Sequence, residues 1–169
     1  GVTYNSATGQ ITVPAGVTHL EVGAFVSPKA VPAMAGSDEV IASMGAPEGV
    51  TRTALVPNAR GAEMALSAGV DELTVTISAS ATYNERNVRM SIDESVAAIA
   101  AIAALAAEAD VPVDTVVSCA FGSPYEGDLP ASEVDALCRR VLDTGTAALT
   151  LADTTGMATP RLVEALLER

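Results

Sequence analysis

Two acidic side chains lie where a folded sheet would have to accommodate their charge. Glu21 falls inside the apolar run 19–26, and Asp153 follows the run 147–151. An unpaired carboxylate inside a sheet covered on both faces is costly, so we expect Glu21 to be buried against a cation, a metal ion or hydrogen-bond donors. The alternatives are a solvent-exposed position for Glu21 and an Asx turn or helix cap for Asp153.

The other reactive side chains form no cluster in the sequence. His19 is the only histidine, so the chain has no His-x-His metal motif, and we expect a structural role for this residue. Cys119 and Cys138 are the only cysteines and lack Cys-x-x-Cys spacing. They are predicted to be buried thiols rather than parts of a disulfide framework.

The charge balance argues against several kinds of partner. The 169 residues include 9 Lys and Arg against 21 Asp and Glu, which gives a net charge of −12. A chain this acidic repels phosphate backbones, so nucleic acid and anionic membranes are not expected partners. No apolar run approaches the roughly 20 residues that span a bilayer, and no basic-then-apolar leader opens the sequence. We therefore expect a cytoplasmic protein.

Short apolar runs alternate with helical patterns from residue 17 onward. Strands are predicted over residues 19–26, 51–56, 72–78, 113–119 and 147–151. Helices are predicted over residues 34–44, 58–68, 91–109, 132–145 and 159–169. Ser91 and Glu94 form a capping box at the start of the third of these helices. The alternation is typical of an α/β protein with a parallel sheet and right-handed crossovers.

Two architectures place a helix after every strand, an open doubly wound sheet and a (β/α)₈ barrel. No Gly-x-Gly-x-x-Gly or phosphate-binding loop motif occurs in the sequence, which disfavours the open sheet. A complete barrel takes about 250 residues. We therefore predict a partial barrel of about five βα units over residues 17–169, corresponding to barrel strands two to six.

Residues 1–16 do not continue this pattern. Residues 2–4 and 10–13 read as two short strands around the polar segment 5–9. This arrangement predicts a separate N-terminal β-hairpin.

Several loop segments resemble those of hydroxymethylglutaryl-CoA lyases. Residues 21–34, EVGAFVSPKAVPAM, are similar to the E-x-x-S-F-V-S-P-K-x-V-P-x-M segment of that family. Further family segments resemble, in the same order, VPN at 56–58, NVRMSIDES at 87–95, VSCAFGSPYEG at 117–127 and ADTTG at 152–156. The combination is far more specific than any one segment.

The resemblance implies a metal-dependent barrel that cleaves 3-hydroxy-3-methylglutaryl-CoA to acetyl-CoA and acetoacetate. It implies an acyl-CoA substrate and Mg²⁺ or Mn²⁺ as the cofactor, which stabilises the alkoxide that forms as the carbon–carbon bond breaks. By this resemblance Glu21 lies beside the metal and Asp153 near the substrate, both as catalytic residues. Asn87, Thr150 and Thr154 fall on positions similar to the acyl-CoA pocket.

The sequence also departs from the family pattern. The family's first-strand Arg-Asp pair, its His-x-His motif, its later Asn ligand and its catalytic Cys loop have no counterpart, so we expect the chain not to bind the metal tightly. Asp114 and Val116 stand where the family usually has Arg and Tyr. Other family residues are replaced by Ala24, Ala81, Arg89, Ser123 and Ala152.

These departures leave more than one function open. We expect a fragment of a lyase that shows no turnover by itself. The alternatives are a related aldol or Claisen-type enzyme with another 3-hydroxyacyl-CoA, and an inactive remnant that acts as an interaction module. Five strands of a barrel leave two open sheet edges, so self-association is also predicted.

Overall fold

A computed structural model describes residues 3–5 and 10–169. At the N-terminus, β1 (Thr3–Asn5) and β2 (Gln10–Thr12) pair antiparallel, as the hairpin pattern predicts. Residues 1, 2 and 6–9, which include most of the predicted turn, lie outside the described residues. The hairpin forms a sheet of its own and does not pair with the first strand of the main sheet.

Five parallel strands make up the main sheet. They are β3 (His19–Ala24), β4 (Thr51–Leu55), β5 (Glu72–Ser78), β6 (Val113–Ser118) and β7 (Ala148–Leu151). Their order across the sheet is their order in the chain. Because successive right-handed crossovers in one direction place all the helices on one face, the sheet is an arc of a barrel and not a doubly wound sheet. The predicted fold class is confirmed.

One 3₁₀ turn and six helices connect and flank these strands. The 3₁₀ turn covers Pro32–Met34, and the helices are α1 (Ser37–Met44), α2 (Ala59–Ala68), α3 (Ala81–Val88), α4 (Ile92–Glu108), α5 (Ala131–Leu142) and α6 (Pro160–Leu167). Of the described residues, no single helix is long and apolar enough to cross a membrane, and α3 with α4 meets that test only as a pair bent by 58°.

Helix caps account for most of the boundaries. The Asn58 side chain accepts the Gly61 N–H at the start of α2, and Gly69 ends this helix with φ +81°. The predicted capping box of Ser91 and Glu94 opens α4. Thr159 caps α6 by accepting the Leu162 N–H.

Three helix predictions need correction. The predicted helix over 34–44 divides at Gly36, whose φ of +84° separates the 3₁₀ turn from α1. Helix α5 begins after Pro130 without a side-chain cap, so Ser132 does not start it. Helix α3 lies in a stretch that the apolar pattern assigned to a loop, because its residues are mostly polar.

The two faces of the sheet differ in chemistry. The face toward the helices carries the core, including fully buried Leu73, Ile77 and Val117, which pack with Ile99 and Ile102 of α4. The concave face carries more polar than apolar side chains. Its paired positions hold Thr53, Glu72, Thr74, Thr76, Asp114 and Thr150 together with the apolar Leu55, Val116 and Ala148. A barrel interior that is to hold a polar ligand needs such a face, whereas a doubly covered sheet would be apolar on both sides.

Gly61 shows how closely α2 approaches β3. A Cβ at this position would lie 2.8 Å from the Phe25 carbonyl oxygen and 2.9 Å from Pro57 Cδ. Gly61→Ala is therefore expected to lower the free energy of unfolding by about 1–3 kcal/mol, because the clash outweighs the roughly 1 kcal/mol gain in helix propensity. Chemical denaturation measures the change. The control is Ser67→Ala, at an exposed position of the same helix, which should leave the stability unchanged or raise it. A Gly61→Ala variant that is more stable than the unaltered chain would contradict the close approach of α2 to Phe25 and Pro57.

Candidate functional site

Glu21 lies on the concave face of β3 and is exposed. The expectation of a buried carboxylate is wrong, because the helices cover only the opposite face of the sheet in the described part of the chain. Glu21 pairs in register with Thr53 of β4, and the strand has a bulge between Glu21 and Gly23. The carboxylate is thus available to a ligand inside the arc.

The loops after β5 and β6 are joined through Glu126. Its carboxylate accepts hydrogen bonds from the Ser80 hydroxyl and from the Thr82 N–H, 3.0 Å away, at the start of α3. Ser123 donates to Ser80 over 3.0 Å and is itself buried. One carboxylate therefore fixes the α3 N-terminus against the loop that follows β6.

Hydrogen bonding decides the charge of Glu126. Burial would raise the pKa of this carboxyl, but hydrogen bonds from Ser80, Thr82 and Ser123 outweigh it and lower the pKa to about 2. The group therefore stays ionised throughout the physiological range. Without it, Ser80 and Thr82 would lose a shared acceptor.

The loop after β7 closes on the same region. Thr154 Oγ1 accepts the Cys119 N–H over 3.1 Å, and Thr155 donates to the Gly122 carbonyl over 2.9 Å. Cys119 itself has φ +55°, a left-handed conformation that is uncommon outside glycine. Three consecutive strand ends, those of β5, β6 and β7, thus share one hydrogen-bonded rim.

Asp153 sits in this rim as a turn residue. Its Oδ1 accepts the Met157 N–H over 2.9 Å, and the side chain is exposed. The turn interpretation of Asp153 is therefore observed, while its catalytic role stays a prediction. Glu21 and Asp153 belong to the first and last strands of the arc, with three strands between them.

The three predicted substrate-binding residues occupy different places. Asn87 is exposed on the last turn of α3, and Thr154 holds the Cys119 backbone as described. Thr150 lies on the concave face and donates to Asp114 Oδ2 over 2.9 Å. Direct contact of these residues with a substrate stays a prediction.

Asp114 marks an unusual spot on the concave face. Its Oδ1 is enclosed and has no hydrogen-bond partner among the described residues.

Burial raises the pKa of nearby Glu72, the negative charge of Asp114 raises it further, and His19 opposes the shift. His19 is exposed and hydrogen bonds with Thr18 Oγ1, so its ring faces solvent rather than a metal cluster.

The two cysteines are held as thiols. Cys119 is fully buried, and burial raises the pKa of its thiol despite a hydrogen bond with Ser78 that lowers it. Cys138 is half-buried on α5, and burial raises its pKa too. A thiol with a raised pKa is a poor nucleophile at neutral pH, so neither residue is equipped for nucleophilic catalysis here.

A cavity of about 390 Å³ opens beyond the carboxyl end of β3. It lies between α1 and α2, and its lining includes Phe25, Ser27, Asn58, Arg60 and Met64. The segment that resembles the lyase family at residues 21–34 supplies part of this wall. The cavity therefore belongs to the same end of the arc as the rim of loops.

The described residues do not make up a metal site by themselves. No group of three or more His, Cys, Asp or Glu side chains lies close enough together in this part of the chain to hold a metal ion. Glu21 is the single residue that the lyase resemblance places beside a metal. A complete ligand set would need donors from outside these residues, and we derive no step through a metal.

Comparison with known proteins assigns the chain to a family. The family model described as HMGL-like matches residues 10–169, almost the whole chain. The chain belongs to the HMGL-like family. A curated relative from Pseudomonas aeruginosa, a 3-hydroxy-3-isohexenylglutaryl-CoA/hydroxymethylglutaryl-CoA lyase, is 41% identical over 156 residues, which cover 90% of this chain and 52% of the relative.

Solved structures of HMGL-like proteins share the fold. The HMG-CoA lyase of Brucella melitensis superposes with a TM-score of 0.86 at 35% identity, over 90% of this chain and 54% of that one. An HMG-CoA lyase of Acinetobacter baumannii, solved in complex with coenzyme A and 3-methylmalate, superposes with a TM-score of 0.83 at 35% identity, over 89% of this chain and 49% of that one. The chain thus spans about half the length of the relatives that it matches.

The rim carboxylate gives a testable consequence. Glu126→Gln keeps the size of the side chain but replaces two charged acceptor oxygens by one neutral oxygen and an NH₂ group. The hydrogen bonds from Ser80 and Thr82 should weaken, so the Thr82 amide should exchange with solvent about tenfold faster. Because the folded pKa is lowered, the contribution of Glu126 is present above the ordinary Glu pKa and is lost as the pH falls toward 2. Hydrogen exchange at pH 7 measures the effect.

Glu133→Gln, at an exposed position of α5, is the matched control and should leave the exchange rate of the Thr82 amide unchanged. Equal exchange in both variants would show that the Glu126 carboxylate does not fix the start of α3.

Proposed function

We propose that the protein is a carbon–carbon lyase that cleaves 3-hydroxy-3-methylglutaryl-CoA to acetyl-CoA and acetoacetate. The observation that carries the proposal is the family match over residues 10–169, on a barrel arc whose strand ends carry the matching loops. Active sites of such barrels lie at the carboxyl ends of the strands. Here those ends are bound together by Glu126 and Thr154 into a preorganised rim.

In this proposal the residues of the chain hold the substrate and its charge. Glu21 presents an exposed carboxylate on the concave face, and Asp153 presents one from the rim. Asn87, Thr150 and Thr154 supply polar contacts to the acyl-CoA. The metal of the family, Mg²⁺ or Mn²⁺, would stabilise the developing alkoxide when bound.

A second substrate is favoured by the layer of short side chains on the concave face. Thr76, Val116 and Thr150 are register partners in adjacent strands, so these three strands present only short side chains to the arc at this level. Space beside this row of side chains would accommodate a 3-hydroxyacyl-CoA whose 3-substituent is larger than methyl. The relative from Pseudomonas aeruginosa carries the name of such a substrate beside hydroxymethylglutaryl-CoA.

We propose, on different grounds, that the 169-residue chain by itself self-associates. Strands β3 and β7 are the edges of the main sheet, and neither pairs with the described strands β1 and β2. Exposed edges recruit further strands despite a net charge of −12. Light scattering at physiological salt tests this, and a monodisperse monomer at high concentration would contradict it. A cytoplasmic location stays a prediction.

Acetoacetate release from hydroxymethylglutaryl-CoA in the presence of Mg²⁺ tests the proposed reaction. The whole protein should turn over, and Glu21→Gln and Asp153→Asn should each lower kcat/KM by about 100-fold or more. Glu63→Gln, exposed on α2, is the control and should not change the rate. The 169-residue chain by itself should show no turnover, because residues that act as a unit in the family are missing from it.

Each other result leads to a different conclusion. Cleavage of a longer 3-alkyl substrate with no cleavage of the methyl one would replace the first proposal by the second. No cleavage of either by the whole protein would contradict both, and it would favour an inactive remnant that serves as an interaction module.

A further inference from the structure

The turn that carries Asp153 is docked on the loop after β6 through a single residue, Gly122. Thr155 Oγ1 donates to the Gly122 carbonyl over 2.9 Å. The Met157 side chain fills the space beside Gly122, because a Cβ there would lie 2.8 Å from Met157 Cε and 3.1 Å from Met157 Sδ. Two side chains from the loop after β7 thus converge on one residue of the neighbouring loop.

The loop that receives them is fixed by other contacts. Gly122 has φ +136°, a conformation that residues with a side chain rarely adopt. Ser123 and Gly127 exchange two backbone hydrogen bonds, over 2.9 and 2.8 Å, and close the loop between them. Glu126 within this loop accepts the Thr82 N–H at the start of α3. Gly122 therefore adjoins a wall that does not depend on the loop after β7 for its shape.

The docked turn decides which oxygen of Asp153 is available to a ligand. Oδ1 accepts the Met157 N–H over 2.9 Å, which leaves Oδ2 without a hydrogen bond among the described residues, on an exposed side chain. The residue whose backbone holds Oδ1 is the same residue whose side chain packs on Gly122. A shift of Met157 would therefore turn the carboxylate.

A second threonine on the same strand makes a comparable bond far from Asp153. Thr144 donates to the Val141 carbonyl over 2.6 Å just before β7 begins, whereas Thr155 donates to Gly122 after β7 ends. Both threonines are half-buried. The pair separates the effect of losing a hydroxyl-to-carbonyl hydrogen bond from the effect of releasing Asp153.

We propose that Thr155 and Met157 are positioning residues, which through Gly122 hold the Asp153 carboxylate so that Oδ2 is the oxygen presented to the substrate. The inference rests on the proposed function insofar as that function makes Asp153 a catalytic residue. A misplacement of about 1 Å in a reacting group can cost on the order of 100-fold in rate. A contact that only directs such a group should change kcat more than KM.

Kinetics of the whole protein with hydroxymethylglutaryl-CoA test the proposal. Thr155→Val and Met157→Ala should each lower kcat about tenfold and leave KM within about twofold, and Thr155→Ser, which keeps the donor, should recover most of kcat. Thr144→Val is the matched control and should leave kcat unchanged. In an Asp153→Asn background, which keeps Oδ1 as an acceptor, Thr155→Val should cause no further loss, because it acts through a carboxylate that is already gone.

Hydrogen exchange of the Met157 amide in the 169-residue chain tests the docking without any turnover. Thr155→Val should make this amide exchange about tenfold faster than it does in Thr144→Val, because the turn loses its anchor on Gly122.

Three results overturn the inference: equal Met157 exchange in the two variants, an unchanged kcat in Thr155→Val, or a loss that persists in full in the Asp153→Asn background. Failure of the lyase proposal is recognised separately. A whole protein that cleaves no hydroxymethylglutaryl-CoA would contradict the reaction, while faster Met157 exchange in Thr155→Val would still support the docking of the turn. Cleavage that falls in Asp153→Asn but not in Thr155→Val would support the reaction and contradict the inference.

Discussion

Asn84→Ala is expected to lower the free energy of unfolding by about 3 kcal/mol. The Asn84 side chain is 1% exposed and makes four hydrogen bonds. Its Oδ1 accepts the Ser78 N–H over 3.0 Å, and its Nδ2 donates to the Met90 carbonyl and the Ser95 hydroxyl, each over 2.8 Å, and to the Ser91 carbonyl over 3.3 Å. Alanine leaves these buried groups without a partner, which costs more than the loss of a single exposed hydrogen bond.

The matched control is Asn87→Ala, one turn farther along the same helix. Asn87 is exposed, so its replacement should change the stability by less than about 0.5 kcal/mol. Asn84→Asp keeps the shape and the acceptor but turns a negative oxygen toward two carbonyls, so it should be destabilising as well. Urea denaturation of the three variants at pH 7 gives the comparison. Equal stability of Asn84→Ala and Asn87→Ala would show that the end of β5 does not depend on this side chain.

Asn84 also shows why the sequence did not predict α3. Signals that lie within a few residues of one another, such as Ser91 with Glu94 or Asn58 before Gly61, correctly located α4 and α2. Helix α3 has no apolar stripe. Besides its local cap, in which Ser80 accepts the Tyr83 N–H, it is held by the hydrogen bonds of Asn84 to neighbouring segments and by Glu126, 44 residues after Thr82. No local pattern encodes such a contact.

For the candidate site, the sequence predicted the strand positions of the acidic residues but not their surroundings in the fold. Hydrophobic runs and their order were enough to place Glu21 within a strand and Asp153 just after one. The exposure of Glu21 was not predictable from its own strand, because it depends on which face the helices cover, and that depends on the order of all five strands. Thr154 was expected to contact substrate, and the structure adds a hydrogen bond to Cys119 that only the folded loops reveal.

Arg52→Met, like Asn84→Ala, is expected to lower the free energy of unfolding by about 3 kcal/mol, but through the loss of a buried ion pair. The Arg52 guanidinium forms a bidentate pair with Asp71, with both N–O distances 2.8 Å, and it donates to the carbonyl oxygens of Gly45 and Gly69 over 2.8 and 2.6 Å. Those glycines are the C-caps of α1 and α2. One buried cation therefore satisfies the carboxyl ends of two helices, where a positive charge is favoured.

The pH dependence of the stability loss distinguishes the contribution of the Arg52–Asp71 ion pair from that of side-chain packing. The Arg52 hydrogen bond holds the pKa of Asp71 below its ordinary value, although burial opposes the shift. Because the folded pKa is depressed, the stability from the pair is fully present above the unfolded pKa of about 3.9 and is lost as the pH falls through the folded value. The difference between Arg52→Met and the unaltered chain should therefore shrink between pH 7 and pH 3.

Two further variants identify which bonds of Arg52 matter. Arg52→Lys keeps the charge but cannot donate to Asp71 and to both carbonyls at once, so we expect it to recover less than half of the loss. Asp71→Asn keeps the guanidinium on the two helix ends and removes only the charge partner. Since the Asp71 side chain is 41% exposed, water can replace part of its interaction, and Asp71→Asn should cost less than Arg52→Met. If the two variants cost the same at pH 7, the ion pair stabilises this end of the sheet and the bonds to the helix carbonyls contribute little; the shared position of Gly45 and Gly69 at two helix ends leads us to expect the opposite.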